Sequence, residues 1–108
     1  MDEYKIRITD DALNDIISIR NNIIKKYHSL EDALFVEAYI YDKIQELKTF
    51  PDAHRLYKYN SKTSRQFRVI TAHRKYNIYY YVKHQKKEVI IYLILHNKRD
   101  IRQVLRLH

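Results

Sequence analysis

The sequence predicts an α+β domain in which a helical hairpin is followed by an antiparallel sheet. Apolar residues first recur at helical spacing over two long segments and then alternate with polar residues over shorter ones, which indicates helices before strands. The chain has 108 residues, so residues 1–108 are expected to form a single domain. Its balance of 45% apolar and 31% charged residues is that of a globular protein rather than of a disordered tail.

The first elements are a short strand and two long helices. Apolar and polar residues alternate over residues 4–9, which predicts a half-buried strand. Asp10 and Asp11 can cap a helix, because a carboxylate accepts the free N–H groups of a first turn. The apolar spacing then predicts a first helix over about 11–27 and a second over about 30–49. Because their connection is short, the two helices are expected to pack antiparallel.

Three strands and a short helix are predicted in the second half of the chain. Alternation predicts a strand over residues 66–71 and another over 77–82, and the apolar run 89–95 predicts a central strand covered on both sides. The connections between these strands are tight, which indicates a three-stranded antiparallel meander. Together with the N-terminal strand it makes a four-stranded sheet. Asp100 can cap a short C-terminal helix.

A single hairpin covers only one face of such a sheet. The side chains expected to face the helices are Phe67, Val69, Ile78, Tyr80 and Val82. The open face is then expected to carry Arg68, Ile70, Asn77, Tyr79 and Tyr81. From the last strand it is expected to receive either Tyr92, Ile94 and His96 or the alternate set. This arrangement predicts an open face that is cationic and available to a partner.

The positive charge of the chain is concentrated in one stretch. Residues 53–87 carry ten Lys or Arg and no Asp or Glu, whereas residues 1–52 carry 11 acidic and seven basic side chains. The whole chain has a formal net charge of +8. Such segregation indicates an anionic partner, either a nucleic acid or an acidic protein segment. The alternative is that the positive charge serves solubility alone.

Composition argues against several kinds of site. The chain has no cysteine, so it has no disulfide framework and no thiolate metal site, and it has no glycine for a Gly-rich phosphate loop. Its six histidines form no closely spaced ligand pair, so neither a metal nor another cofactor is expected. No apolar run approaches ~18 residues, so no transmembrane helix is expected. The simplest expectation is a cytoplasmic protein with no membrane partner.

Five motifs stand in order along nearly the whole chain. They are Ala12-x-x-Asp15-Ile16, Ile40-x-x-x-Ile44-x-x-Leu47-x-x-x-Pro51, Phe67-Arg68-Val69, Tyr76-x-Ile78-x-Tyr80-x-Val82 and Val89-x-Ile91-x-x-Ile94-x-His96-x-x-Arg99-Asp100. The last is the most specific, because an apolar strand seldom runs into His-x-x-Arg-Asp. In this order the motifs resemble the RelE/ParE superfamily of toxins from bacterial type II toxin–antitoxin systems.

The resemblance implies a growth-inhibiting toxin that an antitoxin, often acidic, holds inactive. RelE-like members cleave messenger RNA on the ribosome, whereas ParE-like members inhibit DNA gyrase without an established catalytic residue. RelE-like enzymes carry an arginine where this chain has Asn77 and a catalytic tyrosine where it has Leu105. These departures and the long hairpin favour the ParE-like interpretation. A homodimer and a toxin–antitoxin hetero-oligomer both stay open.

The candidate site residues follow from these alternatives. In a RelE-like enzyme, Arg68 and Arg99 match basic positions that would stabilise charge on a phosphate, and His96 could transfer protons. In the other interpretation Arg68 and Arg99 anchor the antitoxin or serve as structural charges, and His96 is structural. A plain nucleic-acid-binding domain is a third possibility, in which Tyr79 and Tyr81 would stack on bases. The candidates for binding a nucleic acid or the antitoxin are Arg65, Arg74, Lys75, Tyr79, Tyr81 and Lys98.

Overall fold

The order of secondary-structure elements is the predicted one. The structure is a computed structural model, and it describes residues 3–57, 66–99 and 101. The elements are β1 (Lys5–Ile8), α1 (Asp10–Tyr27), α2 (Leu30–Glu46), β2 (Arg68–Ala72), β3 (Tyr76–Lys83) and β4 (Glu88–His96). Of the expected C-terminal helix, Ile101 is described as helical, whereas Asp100 and Leu105 lie outside the described residues.

The first helix begins one residue earlier than its acidic residues suggested. The side-chain oxygen of Thr9 accepts a hydrogen bond from the N–H of Ala12 at 3.1 Å, so Thr9 is the N-cap of α1. The expectation that Asp10 or Asp11 caps this helix is therefore wrong. Both lie in its first turn, where their charge meets the positive end of the helix dipole.

The second helix is shorter than predicted at its C-terminal end. Ser29 caps its start by accepting a hydrogen bond from the N–H of Asp32 at 3.1 Å. The helix ends at Glu46, and residues 47–49 form a turn. Pro51 disfavours a helical conformation in the residue before it, so the chain leaves the helix ahead of this position.

The sheet has four strands in the order β1-β4-β3-β2. β2, β3 and β4 form the predicted antiparallel meander. β1 runs parallel to β4 and pairs with Glu88 to Ile91, which is only the first half of that strand. The chain therefore leaves β1, passes through the helical hairpin and the meander, and returns to lie beside β1.

The main core lies between the helical hairpin and one face of the sheet. Its fully buried side chains include Ile16, Ile40, Ile44, Ile78, Tyr80 and Ile91. Ile70 and Ala72 also belong to it, and Ile70 pairs with Ile78 across β2 and β3. Because Arg68 has the same strand parity, it lies on the helix-facing side.

The predicted face assignment of β2 is therefore wrong in both directions, because Arg68 and Ile70 face the helices whereas Val69 faces away from them. Phe67 and Val69 are buried as well, at 7% and 3% exposure. Since both sets of alternate side chains in this region are largely apolar, the sequence pattern did not identify which set meets the helices.

A β-bulge changes the faces along β4. Tyr79 pairs with Leu93 and Tyr80 pairs with Ile91, so Tyr92 is an extra residue in the strand. Leu93 consequently faces away from the helices, whereas Ile94 faces them. Neither of the two alternate sets expected on the open face is correct, because each assumed an uninterrupted alternation.

The sheet face away from the helices carries a second apolar cluster. It consists of Val69, Tyr79, Leu93, Leu95 and Ile101, with Tyr57 and Tyr92 packed against it. None of the five central residues is more than 4% exposed. For the part of this face that the described residues form, the expectation of a cationic surface is therefore wrong.

Candidate functional site

Five basic residues meet at one end of the sheet, which we call the cationic end. They are Lys26, Arg74, Lys75, Lys98 and Arg99. Arg74 and Lys75 come from the turn between β2 and β3, and Lys98 and Arg99 follow β4, whereas Lys26 lies in the last turn of α1. All five side chains are exposed. The structure thus brings together four predicted site residues, Arg74, Lys75, Lys98 and Arg99.

A groove of about 970 Å³ opens at the cationic end, between α1 and the second half of β4. Its lining includes the apolar side chains of Ile19, Ile23 and Val36, and Phe35 stands at its rim with 60% exposure. The groove is also lined by four members of the cationic end, Lys26, Lys75, Lys98 and Arg99, and by the acidic residues Asp15 and Asp32. The groove combines apolar walls with positive side chains, which suits an amphipathic segment that carries acidic groups.

The groove forms because β1 is shorter than β4. Among the strands that the structure describes, β1 accompanies β4 only as far as Ile91, so the outer edge of β4 has no strand beside it from Tyr92 onward. Two side chains bind this edge instead. The hydroxyl of Thr9 donates to the carbonyl of Tyr92 at 3.1 Å, and the N–H of Ile94 donates to the carboxylate of Asp15 at 2.9 Å.

His96 lies in the same groove as a neutral imidazole. Its Nδ1 accepts a hydrogen bond from the backbone N–H of Lys98 at 3.1 Å, so the ring proton of the neutral form is on Nε2. Its ring packs edge-on against Tyr76 at a centroid distance of 5.7 Å. Burial lowers the pKa of His96 from its ordinary value of 6.5, and the nearby ammonium groups of Lys98, Lys75 and Lys26 lower it further.

Arg68 lies far from the groove and is held by other groups. Its Nη1 donates to the carbonyl of His54 at 2.7 Å, and its Nε lies 3.5 Å from the carboxylate of Asp52. Arg68 of β2 pairs with Tyr80 of β3, and His96 of β4 pairs with Tyr76 of β3. Tyr76 and Tyr80 are four residues apart along β3. At ~3.3 Å per residue along a strand and ~4.8 Å for each of the two steps from β2 to β4, the Cα atoms of Arg68 and His96 are about 16 Å apart. The structure therefore does not assemble Arg68, His96 and Arg99 around one point.

The two tyrosines predicted to stack on bases belong to the second apolar cluster and its border. Tyr79 is 4% exposed and packs edge-on against Tyr57 at a centroid distance of 5.5 Å. Tyr81 is half-buried between Phe67 and Tyr92, at centroid distances of 5.8 and 6.4 Å. In this packing Tyr79 offers no ring face to a base. The remaining predicted contact residue, Arg65, lies outside the described residues.

Two features of the groove were not predicted from the sequence. Asp15 was part of a motif without an assigned role, and nothing in the sequence showed that it would meet a strand 79 residues away. For Phe35, the sequence does contain a signal from which an exposed apolar side chain could have been predicted. It lies outside the buried helical stripe of Val36, Ile40 and Ile44, so a large apolar side chain was placed on the exposed side of α2.

Within residues 3–57, 66–99 and 101, no three His, Asp or Glu side chains come together in a way that could hold a metal ion. No helix in that part of the chain is long and apolar enough to span a membrane.

Residues 6–101 match the model described as the ParE toxin of the type II toxin–antitoxin system, parDE. No curated protein matches the chain.

Solved structures with a similar fold come from toxin–antitoxin complexes. A chain of the chromosomal ParDE system from P. aeruginosa is 20% identical with a TM-score of 0.70, and the alignment covers 87% of this chain and 96% of that one. A chain of the RelBE2 complex from Mycobacterium tuberculosis is 14% identical with a TM-score of 0.60, covering 88% and 99%. A chain of the archaeal RelE–RelB complex from Pyrococcus horikoshii is 15% identical with a TM-score of 0.57, covering 91% and 99%. At these identities the structures show a shared fold.

Proposed function

The chain belongs to the ParE toxin family of type II toxin–antitoxin systems, and from this premise we propose that it inhibits growth by binding DNA gyrase rather than by cleaving RNA. The observation that carries the proposal is the position of Arg68. Its guanidinium is engaged by Asp52 and His54 on the helix-facing side of the sheet. The Cα atoms of Arg68 and His96 are about 16 Å apart, so Arg68 does not converge with the proton-transferring group that a RelE-type site would need.

We also propose that an antitoxin neutralises this toxin by occupying the groove. The similar solved structures are described as toxin–antitoxin systems or complexes. The groove supports such a partner because apolar side chains can hold an amphipathic segment, while Lys75, Lys98 and Arg99 attract its acidic residues. An acidic segment would meet favourable charge before contact, so the association is expected to be fast and to slow in high salt.

A supercoiling assay tests the gyrase proposal. Purified toxin added to DNA gyrase and relaxed plasmid is expected to suppress supercoiling in proportion to its concentration, and equimolar antitoxin is expected to restore it. The R68A variant, tested at a temperature at which it stays folded, is expected to inhibit as the unmodified toxin does. Unchanged supercoiling at saturating, folded toxin would contradict the proposal.

A ribosome-dependent endonuclease is the second candidate function. The observation that favours it is that His96 and Arg99 line one groove, where a proton-transferring group and a cation could act on the same phosphate. Primer extension on translated messenger RNA tests this candidate. New 5′ ends that appear with the toxin and disappear in an H96Q/R99A double variant would favour cleavage over gyrase binding. Messenger RNA that stays intact would remove it.

A further inference from the structure

The turn between β2 and β3 has an unusual backbone for its sequence. His73 and Arg74 are its two central residues, with φ values of 52° and 58°. The N–H of Lys75 donates to the carbonyl of Ala72 at 3.3 Å, which closes the turn. Ala72 pairs with Tyr76, so three residues form the loop. Positive φ at both central residues of the closed turn is the pattern of a type I′ turn, where Asn-Gly is strongly preferred because a Cβ atom is unfavourable at positive φ.

Contacts on both sides hold this turn in its left-handed conformation. On one side the ring of His73 packs edge-on against Phe35 and Tyr39 of α2, at centroid distances of 6.0 and 5.6 Å. On the other side, the carbonyl of Arg74 accepts a hydrogen bond from the side chain of Asn97 at 2.9 Å. The N–H of Asn97 donates to the carbonyl of Lys75 at 2.7 Å. The turn is therefore fixed between α2 and the segment that follows β4.

The side chains of the turn gain little within the described part of the protein. The Nδ1 atom of His73 is buried and has no hydrogen-bond partner there. The side chain of Arg74 is exposed, and among the described residues it makes no hydrogen bond or ion pair. An arginine in a left-handed conformation without an internal partner is unexplained by the stability of the fold. The exposed guanidinium of Arg74 can therefore meet a partner.

We propose that the His73-Arg74 turn is a recognition site, and that it presents the guanidinium of Arg74 to a carboxylate of an acidic protein segment seated in the adjoining groove. The inference rests on the proposed function, because it takes the antitoxin as the partner. His73 fixes the turn against α2, and Asn97 fixes the backbone of Arg74, so the guanidinium is presented from a rigid support. Because the backbone of Arg74 is fixed, only its side chain has to be ordered on binding.

The surroundings favour an acidic protein segment over a nucleic acid. His73 and Lys75 line the groove whose walls are formed by Ile19, Ile23 and Phe35. A phosphate backbone would leave these apolar walls unused, whereas a peptide with apolar and acidic residues fills the walls and meets Arg74 with the same segment. Binding to naked DNA is the competing outcome of the test.

The test compares R74G with K87G. Lys87 is a matched control because it also has a positive φ, 52°, and lies in the turn between β3 and β4, at the other end of β3 from the groove. Each variant removes one positive charge and replaces a left-handed residue by glycine. Both are expected to keep or raise the melting temperature by about 2–5 °C, because glycine relieves the strain. Binding is measured by isothermal titration calorimetry with the acidic protein encoded by the reading frame beside the toxin's.

We expect R74G to weaken the antitoxin complex by about tenfold or more, which is the usual size of a lost charge-assisted hydrogen bond, and K87G to change affinity by less than about twofold. The R74Q variant keeps the Cβ atom and is expected to weaken binding as R74G does, which covers the case in which R74G fails to fold. Equal losses in R74G and K87G would show a general effect of charge and overturn the inference, as would unchanged binding in R74G and R74Q.

Two further outcomes separate this inference from the proposed function. If the unmodified toxin binds its antitoxin and R74G and R74Q do so equally well, only the role of the turn is overturned. If the unmodified toxin neither binds the antitoxin nor inhibits gyrase, the proposed function fails and the inference fails with it. Weaker binding of R74G to a 20-base-pair DNA duplex, with antitoxin binding unchanged, would overturn the choice of an acidic protein partner.

Discussion

Arg68 holds the segment after α2 against the sheet. It contacts the carbonyl of His54 and the carboxylate of Asp52, and beside it the hydroxyl of Tyr80 donates to the carbonyl of Pro51 at 2.7 Å. Tyr80 is fully buried, and burial raises the pKa of its hydroxyl, so it stays a neutral donor. Residues 51–54 are thereby tied to the helix-facing side of β2 and β3.

The R68A variant should therefore lose stability while keeping its inhibitory activity. Removing the guanidinium leaves the carbonyl of His54 and the carboxylate of Asp52 without this donor, and we expect a loss of about 1–3 kcal/mol in the free energy of unfolding. Urea denaturation measures it. R55A is the control, because Arg55 is exposed and its loss changes the net charge equally. A stable R68A protein that fails to inhibit would contradict the structural role of Arg68.

His96 should make the stability of the fold depend on pH. Its pKa is lowered in the folded protein, mainly by burial and then by Lys98, Lys75 and Lys26. Between the folded pKa and 6.5 the unfolded chain therefore binds more protons than the folded one, and stability falls as the pH decreases through this window. The H96Q variant should lose less stability than the unmodified protein between pH 7.5 and 5.5. Parallel pH profiles of urea midpoints for the two proteins would contradict this expectation.

At the scale of the elements, the difference in length between β1 and β4 shapes the groove. β1 pairs with the edge of β4 as far as Ile91. Beyond it, the side chains of Thr9 and Asp15 hydrogen-bond to backbone groups of β4. The carboxylate of Asp15 in α1 thus accepts the hydrogen bond at a position where a longer β1 would have paired with β4. This leaves room for α1 to stand away from the end of β4, and the groove opens there.

The D15A variant should destabilise the packing of α1 on β4. The N–H of Ile94 would lose its carboxylate acceptor in a largely buried position, and we expect a loss of about 1–3 kcal/mol in the free energy of unfolding. D42A is the control, because Asp42 is an exposed acidic residue on α2. Hydrogen exchange of the Ile94 amide should accelerate in D15A. An unchanged exchange rate would show that the carboxylate does not protect this amide.

The elements were predictable from sequence, but the faces of two strands were not. Helical spacing located α1 and α2 because only one stripe of each helix is deeply buried. In β2 both parities are buried, by the helices on one side and the second apolar cluster on the other, so alternation carried no information about direction. In β4 the bulge at Tyr92 shifts the faces, and an unbroken apolar run does not reveal an extra residue.

At the scale of the whole molecule, the segregation of charge was visible in the sequence, but its position was not. The segment 53–87 supplies Arg74 and Lys75 to the cationic end, whereas Lys26 comes from the acidic half and Lys98 from beyond β4. The groove is therefore assembled from three distant parts of the chain. No local pattern could show this, because the contacts depend on how α1 and the meander pack.

The parallel pairing of β1 with β4 has a consequence for the order in which the protein is made. Lys5 pairs with Glu88 and Ile8 with Ile91, so the first strand has no partner until more than 80 residues have followed it from the ribosome. Contacts of such long sequence separation form late and slow folding. The helical hairpin can form early during synthesis, but the groove exists only once the last strand has emerged. The sheet is therefore completed only when translation of the domain is nearly finished.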